Sequence, residues 1–279
     1  MGKYSDSEKT ILNEFGKSIW RRFMRGMREY KLVSEGDRVA VCISGGKDSM
    51  LLAKCMQLLK RSWKTNFELE FLVMDPGYNA ENRARVEENA RKLDIPIRVF
   101  ESDIFDAVDS MGGAPCYMCA KMRRGFLYKT AQSLGCNKIA LGHHFDDVVE
   151  TILMSMLYAG EFRTMMPRIH SANFPGMELI RPLYLVKEED IIAWSEFNDL
   201  HFIRCACKVA EKNVKNNGED GSKRQEMKRL VQQFREVSPN IDRNIFASAE
   251  NVNLDTVISY HHNRRDIDYH FLEDFEHRE

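Results

Sequence analysis

Residues 38–43, Arg-Val-Ala-Val-Cys-Ile, form a short apolar β-rich run that ends at once in Ser44-Gly45-Gly46-Lys47-Asp48-Ser49. Helical spacing resumes directly in Met50, Leu51, Leu52, Met56, Leu58 and Leu59. A strand, a glycine turn and a helix in immediate succession confine the chain to an α/β layer with the turn at a strand end. Small residues in the turn let backbone N–H groups face an anion. The helix N-terminus adds positive potential, and Lys47 adds a full charge. The loop is not a Walker A motif, whose first glycine would fall at Val41 and whose Ser or Thr would stand at Asp48. A plain glycine turn would account for Gly45-Gly46, but for neither the lysine nor the two serines.

The rest of the chain extends this alternation. Strands are predicted at 69–74, 97–100, 138–141 and 179–180, with helices at 81–93, from Cys116-x-x-Cys119 to about Leu134, after His143-His144, and at 188–197. Strands separated by helices read as right-handed βαβ units, so the expected fold is a doubly wound parallel α/β sheet covered on both faces. Ahead of it, Ile11, Leu12, Phe15, Ile19, Phe23 and Met27 predict one helix over 8–31 with a basic opposite face. Residues 161–176 read as an irregular excursion, 213–222 as a flexible loop, and 223–237 and 241–250 as helices. The expected division is a basic N-terminal helix (1–31), an α/β domain (32–200) and a cysteine-bearing helical C-terminal region (201–279).

With 279 residues, 43% hydrophobic and 30% charged, the composition is that of a globular chain and excludes wholesale disorder or a fibrous repeat. No apolar run reaches the roughly 18 residues of a spanning helix. The first residues hold no apolar signal core, and Asp6 stands where a myristoylation motif needs Ser or Thr. A cytoplasmic protein without a membrane partner is expected. Net charge is −1, but Arg21, Arg22, Arg25, Arg28 and Lys31 face only Glu29, and residues 204–229 carry eight basic against four acidic residues. Solvated faces are the plain reading of such runs; patches for a polyanion are the functional one. Arg21, Arg25 and Arg28 share a helix face and are the candidate contacts for such a polyanion.

Seven cysteines without an export signal argue against a disulfide framework. Cys42, Cys55 and Cys136 lie in apolar or helical contexts and read as buried small residues. Cys116-Tyr-Met-Cys119 stands at a helix start beside Lys121, Arg123 and Arg124, where thiolates are favoured. A lone C-x-x-C fits zinc, a redox pair or an iron–sulfur edge, and no histidine lies at finger spacing. Cys205-Ala-Cys207 is the downstream cysteine pair.

As an ordered set, Gly36-Asp37-Arg38-Val39, Ser44 to Ser49, Cys116-x-x-Cys119 with Met122 to Tyr128, and Gly142-His143-His144-Phe145-Asp146-Asp147 resemble the tRNA 2-thiocytidine synthetase branch of the PP-loop ATP pyrophosphatases. The resemblance runs from about Val33 to Ile203 and more weakly to Asn251. It implies an ATP-dependent tRNA sulfurtransferase that adenylates the C2 oxygen of a cytidine in the anticodon loop, cytidine-32, and replaces that oxygen with sulfur. It implies ATP contacts from Ser44, Gly45, Gly46, Lys47, Asp48, Ser49, Met74, Gly142, His143 and Asp146, with Lys47 and Asp48 catalytic. It also implies Mg2+ on the triphosphate and a 4Fe-4S cluster on Cys116, Cys119 and one downstream cysteine. The family usually has a second C-x-x-C there, so Cys205 and Cys207 compete for the third place, with Cys207 favoured. The implied partners are tRNA and a sulfur donor, a cysteine desulfurase or sulfide. Monomer and homodimer both stay open. His143, His144, Asp146 and Asp147 also have a plain reading, as strand-end histidines and as the N-cap and first-turn acid of the next helix. The competing functions are a lysidine-forming ligase, a desulfurase of a thiolated base, and a non-catalytic, metal-stabilised RNA-binding module.

Overall fold

A computed structural model describes residues 5–102, 104, 115–203, 223–262 and 268–275. Six strands, β1 (Arg38–Ile43), β2 (Glu68–Asp75), β3 (Ile97–Glu101), β4 (Lys138–Ala140), β5 (Arg168–His170) and β6 (Glu178–Ile180), form one sheet in the order β3-β2-β1-β4-β6-β5. All pairings are parallel except that of β5 with β6. The strand alternation of β1 explains why both faces are covered. Val39, Val41 and Ile43 enter a core with α3 (Lys47–Ser62) and α4 (Ala80–Lys92), while Ala40 and Cys42 enter another with α5 (Pro115–Ser133). The chain builds outward from β1 through β2 to β3, then crosses to β4 on the other side. The strand order therefore reverses between β1 and β4, and the crevice beyond their C-terminal ends is the usual ligand position of a doubly wound sheet.

The N-terminal segment is not one helix. Helix α1 (Asp6–Leu12) stops at Asn13, a π-helical turn spans Gly16–Trp20, and α2 (Arg21–Glu29) follows. Gly16 disfavours regular helix, and the wider turn still sets Ile19 in the same buried core as Ile11, Phe23 and Met27. The excursion at 161–176 contains the edge strand β5. With three residues, and Arg168 and His170 flanking Ile169, it is too short and polar to register as a strand in sequence.

Helix α6 (Phe145–Ala159) leaves the sheet after β4, and α7 (Glu188–Phe197) follows β6. Helices α8 (Lys223–Val237) and α9 (Ile241–Ser248) pack on α6 through Phe145, Val149, Ile152, Met227, Val231 and Phe246. The loop expected at 213–222 and Cys205 and Cys207 lie outside the described residues. Among the described residues no helix is long and apolar enough to cross a membrane.

Candidate active site

Gly45 takes φ +83°, and a Cβ there would lie 2.7 Å from both Ile203 and Val86. Glycine is therefore required twice over, by conformation and by space. Gly46 is the N-cap of α3. The Ser49 hydroxyl accepts from the Ser44 amide at 3.2 Å and donates to the Gly46 carbonyl at 2.9 Å, while Tyr78 donates to the Ser44 carbonyl at 3.1 Å. The serines thus hold the loop open around the first turn of α3. Gly142 closes it from the β4 side, since a Cβ there would stand 3.1 Å from the Asp48 carbonyl carbon and the Ser49 amide. Met74 is buried at the end of neighbouring β2.

The loop lysine is already held. Lys47 Nζ lies 3.0 Å from Glu188 Oε1 and 3.1 Å from Asp48 Oδ1, and Lys228 Nζ takes the other Glu188 oxygen at 2.6 Å. Burial works against the charge on Glu188, but Lys228 and Lys47 outweigh it and hold the carboxyl at about 2. Burial likewise opposes the Lys47 ammonium, and Asp48 and Glu188 outweigh it and raise its pKa. Asp48 Oδ1 is buried and accepts no hydrogen bond.

The residues after β4 separate into distinct roles. The N-cap of α6 is His144: its Nδ1 accepts from the Asp147 amide at 3.4 Å, and Asp147 accepts from the His144 amide at 3.0 Å. The expected aspartate cap is thus a histidine, with Asp146 and Asp147 as first-turn acids. Asp146 accepts from the Glu188 amide at 2.7 Å and from Arg235 at 2.6 Å, so it ties the start of α7 and the end of α8 to the loop. His143 is buried enough to push its pKa down to about 4, and its Nδ1 has no hydrogen-bond partner. Sequence reading missed Glu188, Lys228 and Arg235. Glu188 looks like an ordinary first-turn acid of α7, Lys228 belongs to the stretch at 204–229 that reads as a basic patch, and Arg235 lies beyond that stretch on a helix read without a role. Part of that patch is paired within the molecule: Arg224 and Lys228 neutralise Asp147 and Glu188.

Cys116 and Cys119 fall in the first turn of α5, which opens with Pro115. They stand three positions apart. Cys42, Cys55 and Cys136 are buried free thiols, and burial raises Cys42 to about 12 and Cys136 to about 11. Those three are poor candidates for thiolate ligands. Ile203, two positions before Cys205, rests against the loop at Gly45. Arg21 and Arg28 are exposed on α2, as is Arg25, which lies 3.7 Å from Glu29, whereas Arg22 turns inward to Asp190 at 2.8 Å.

A lysine-bearing loop at the reversal point of a doubly wound sheet, with two serines shaping it, defines a PP-loop domain, and the family model described as "PP-loop domain" matches residues 17–216. A tRNA-cytidine(32) 2-sulfurtransferase of Alcanivorax borkumensis is 34% identical over 256 residues, covering 90% of this chain and 87% of that one. One from Syntrophotalea carbinolica is 36% identical over 231 residues, covering 82% and 86%. The chain belongs to the tRNA-cytidine(32) 2-sulfurtransferase family of PP-loop proteins. In fold it is similar to a U34-tRNA thiolase from Methanococcus maripaludis solved with its 4Fe-4S cluster, at TM-score 0.62 and 18% identity, covering 86% of this chain and 81% of that one.

Proposed function

We propose that the chain is an ATP-dependent tRNA sulfurtransferase that converts cytidine-32 to 2-thiocytidine. The observation that carries the proposal is the Ser44–Ser49 loop, built at the reversal point with Lys47 at the N-terminus of α3 and α5 opening with Cys116 and Cys119. A carbonyl oxygen is a poor leaving group. Transfer of AMP from ATP to the C2 oxygen, with release of pyrophosphate, makes it a good one. A sulfur nucleophile then forms the C2–S bond as the C2–O bond breaks and AMP departs.

Loop amides and Lys47 bind the departing phosphates, and the Asp48 carboxylate, paired with Lys47 through Oδ1 at 3.1 Å, would take Mg2+ held jointly with the triphosphate once Lys47 turns to the phosphates. Gly142 lets the β4 end approach the loop, and Met74 borders it. Asp146 positions α7 and α8 around the site through Glu188 and Arg235. Cys116 and Cys119, with Cys207 and Cys205 competing for the third place, would hold the 4Fe-4S cluster, which supplies an open iron for sulfide. The donor set fits, because a C-x-x-C pair heads a helix and the remaining described cysteines are buried. Arg21, Arg25 and Arg28 would contact tRNA phosphates. The sulfur donor is a cysteine desulfurase or free sulfide and the setting is cytoplasmic, with monomer and homodimer both open. The division into residues 1–31, 32–200 and 201–279 assigns RNA contact, ATP chemistry and cluster completion in turn.

The test is pyrophosphate release with and without tRNA, followed by mass spectrometry of the tRNA nucleosides. Release stimulated by tRNA with appearance of 2-thiocytidine is expected. Lysidine, loss of an existing thiolated base, or no pyrophosphate would each replace the proposal with one of its competitors.

A further inference from the structure

Three cations are buried among the described residues: Lys54, Lys138 and Arg181. Lys54 meets Glu8 at 3.0 Å, and Lys138 meets Asp37 at 2.8 Å and Glu178 at 3.1 Å. Arg181 is 9% exposed and has no carboxylate within ion-pair distance among the described residues. Its guanidinium donates from Nη1 to the Met166 carbonyl, and its buried Nε has no hydrogen-bond partner. Burying an unpaired charge costs several kcal/mol, so such a group persists where a ligand completes it.

Besides burial, the phenols of Tyr184 and Tyr128 favour the charge on Arg181 without pairing with it as an anion would. Arg124 of α5 and His143 both act on Arg181 by repulsion. Asp147 acts on it only from beyond ion-pair distance and is itself engaged by Arg224 and His144. Arg181 directly follows β6, and the Leu141 amide bonds the Ile180 carbonyl at 3.0 Å, so the ends of β4 and β6 lie side by side. His144 approaches Asp48 of the phosphate loop, with Nε2 3.9 Å from Oδ1. The extended backbone at His144 turns His143 to the opposite side. The ATP loop and the Arg181 side chain therefore flank the end of β4 on opposite sides, and Arg124 links Arg181 to the helix that opens with Cys116 and Cys119.

We infer that Arg181, with Arg124 and His143 beside it, binds a backbone phosphate of the RNA substrate next to the target base, an assignment that rests on the tRNA sulfurtransferase reading above. A phosphodiester there supplies the missing counter-charge and accepts the free Nε–H. It also holds the base between the ATP loop on one side and α5 on the other.

The test compares wild type, Arg181→Met and Arg181→Lys in three measurements: tRNA affinity against salt, affinity for a non-hydrolysable ATP analogue, and thermal unfolding. Arg181→Met is expected to weaken tRNA binding about tenfold, in line with loss of one charged hydrogen-bonded contact, and to flatten the salt slope by roughly 0.7–0.9. Its melting temperature should hold or rise, because an unpaired buried charge is gone. Affinity for the ATP analogue should stay within about twofold. Arg181→Lys should restore the salt slope but only part of the affinity, since a point charge lacks the fork. Unchanged tRNA affinity in Arg181→Met overturns the inference. So does an equal loss for the ATP analogue, which would assign Arg181 to an ATP phosphate. A fall in melting temperature with unchanged binding per folded molecule would make Arg181 structural. Wild type that binds no tRNA would instead overturn the functional reading itself.

Discussion

Three lysines of helix α3 each meet a glutamate from another element, and two of these pairs, at Lys47 and Lys54, serve opposite ends. Lys47, in the first turn, is 24% exposed and shares Glu188 with Lys228. Lys54, two turns on, is 1% exposed and meets Glu8 of α1, which is fully buried, with Gln57 and Arg61 completing the cluster. Lys47 keeps solvent access at a helix N-terminus, where an incoming phosphate can displace its carboxylate. Lys54 has no such access, and burial works to lower its pKa. The same ion pair is thus an exchangeable counter-ion at one end of the helix and a fastening for the N-terminal segment at the other.

The sharpest way to break this distinction is to remove each lysine. Lys47→Ala should lower pyrophosphate release by about 10²–10³-fold, the usual cost of losing a charge aimed at a transition state. Its unfolding free energy should move by less than about 1 kcal/mol, as for other partly exposed pairs. Lys54→Ala should do the reverse. It leaves Glu8 with Arg61 and the Ser5 amide alone and costs about 3 kcal/mol in denaturant unfolding, with turnover per folded molecule unchanged. The double variant Glu8→Leu/Lys54→Met should recover most of that loss, because the desolvation cost disappears with both charges. Comparable activity losses in Lys47→Ala and Lys54→Ala would erase the contrast.

A smaller effect sharpens the idea of an exchangeable counter-ion. Glu188 stays ionised through any workable pH, so ATP must compete with a full negative charge for Lys47. Glu188→Gln should therefore tighten a non-hydrolysable ATP analogue by about tenfold, near 1.4 kcal/mol, measured by calorimetry. Weaker binding would mean that Glu188 orients Lys47 for the nucleotide rather than holding it in reserve.

These contrasts also mark what was legible in sequence. The loop, its lysine and the flanking strand and helix are contiguous, so local pattern was enough to place Ser44 to Ser49 and the α/β fold around them. The partners were not contiguous. Glu188 lies 141 positions from Lys47, and Arg235 lies 89 from Asp146. Nothing in the periodicity of α7 or α8 distinguishes those side chains from solvated ones. Arg181 was missed for a related reason: a single arginine after a three-residue strand carries no pattern, and its significance is the absence of a partner. The break of the N-terminal helix at Asn13–Gly16 escaped because apolar spacing continues through the π turn and hides the change of helix type.

The smallest prediction tests whether the cluster joining α6 to α8 is settled like the Lys54 pair or poised like the Lys47 pair. Glu150 is buried on α6, with Arg224 of α8 3.6 Å away and Asp147 one turn before it. Burial first, and then Asp147, push its carboxyl up to about 7, while Arg224 offsets only part. Its folded-state pKa thus lies above the unfolded value, and the folded protein binds more protons between about 4.5 and 7. The stability contributed by the neutral form is complete below about 4.5 and is lost as pH rises through about 7. Glu150→Gln keeps the shape and removes the charge. It should raise stability at pH 8 by on the order of 1 kcal/mol, discounted for partial solvent screening. The gain should vanish by about pH 5, where the wild-type carboxyl is already protonated in the folded state. Unfolding curves of both proteins at pH 5 and pH 8 decide it. An equal difference at the two pH values would show that Arg224 holds Glu150 ionised, making this cluster a fixed ion pair like the one at Lys54.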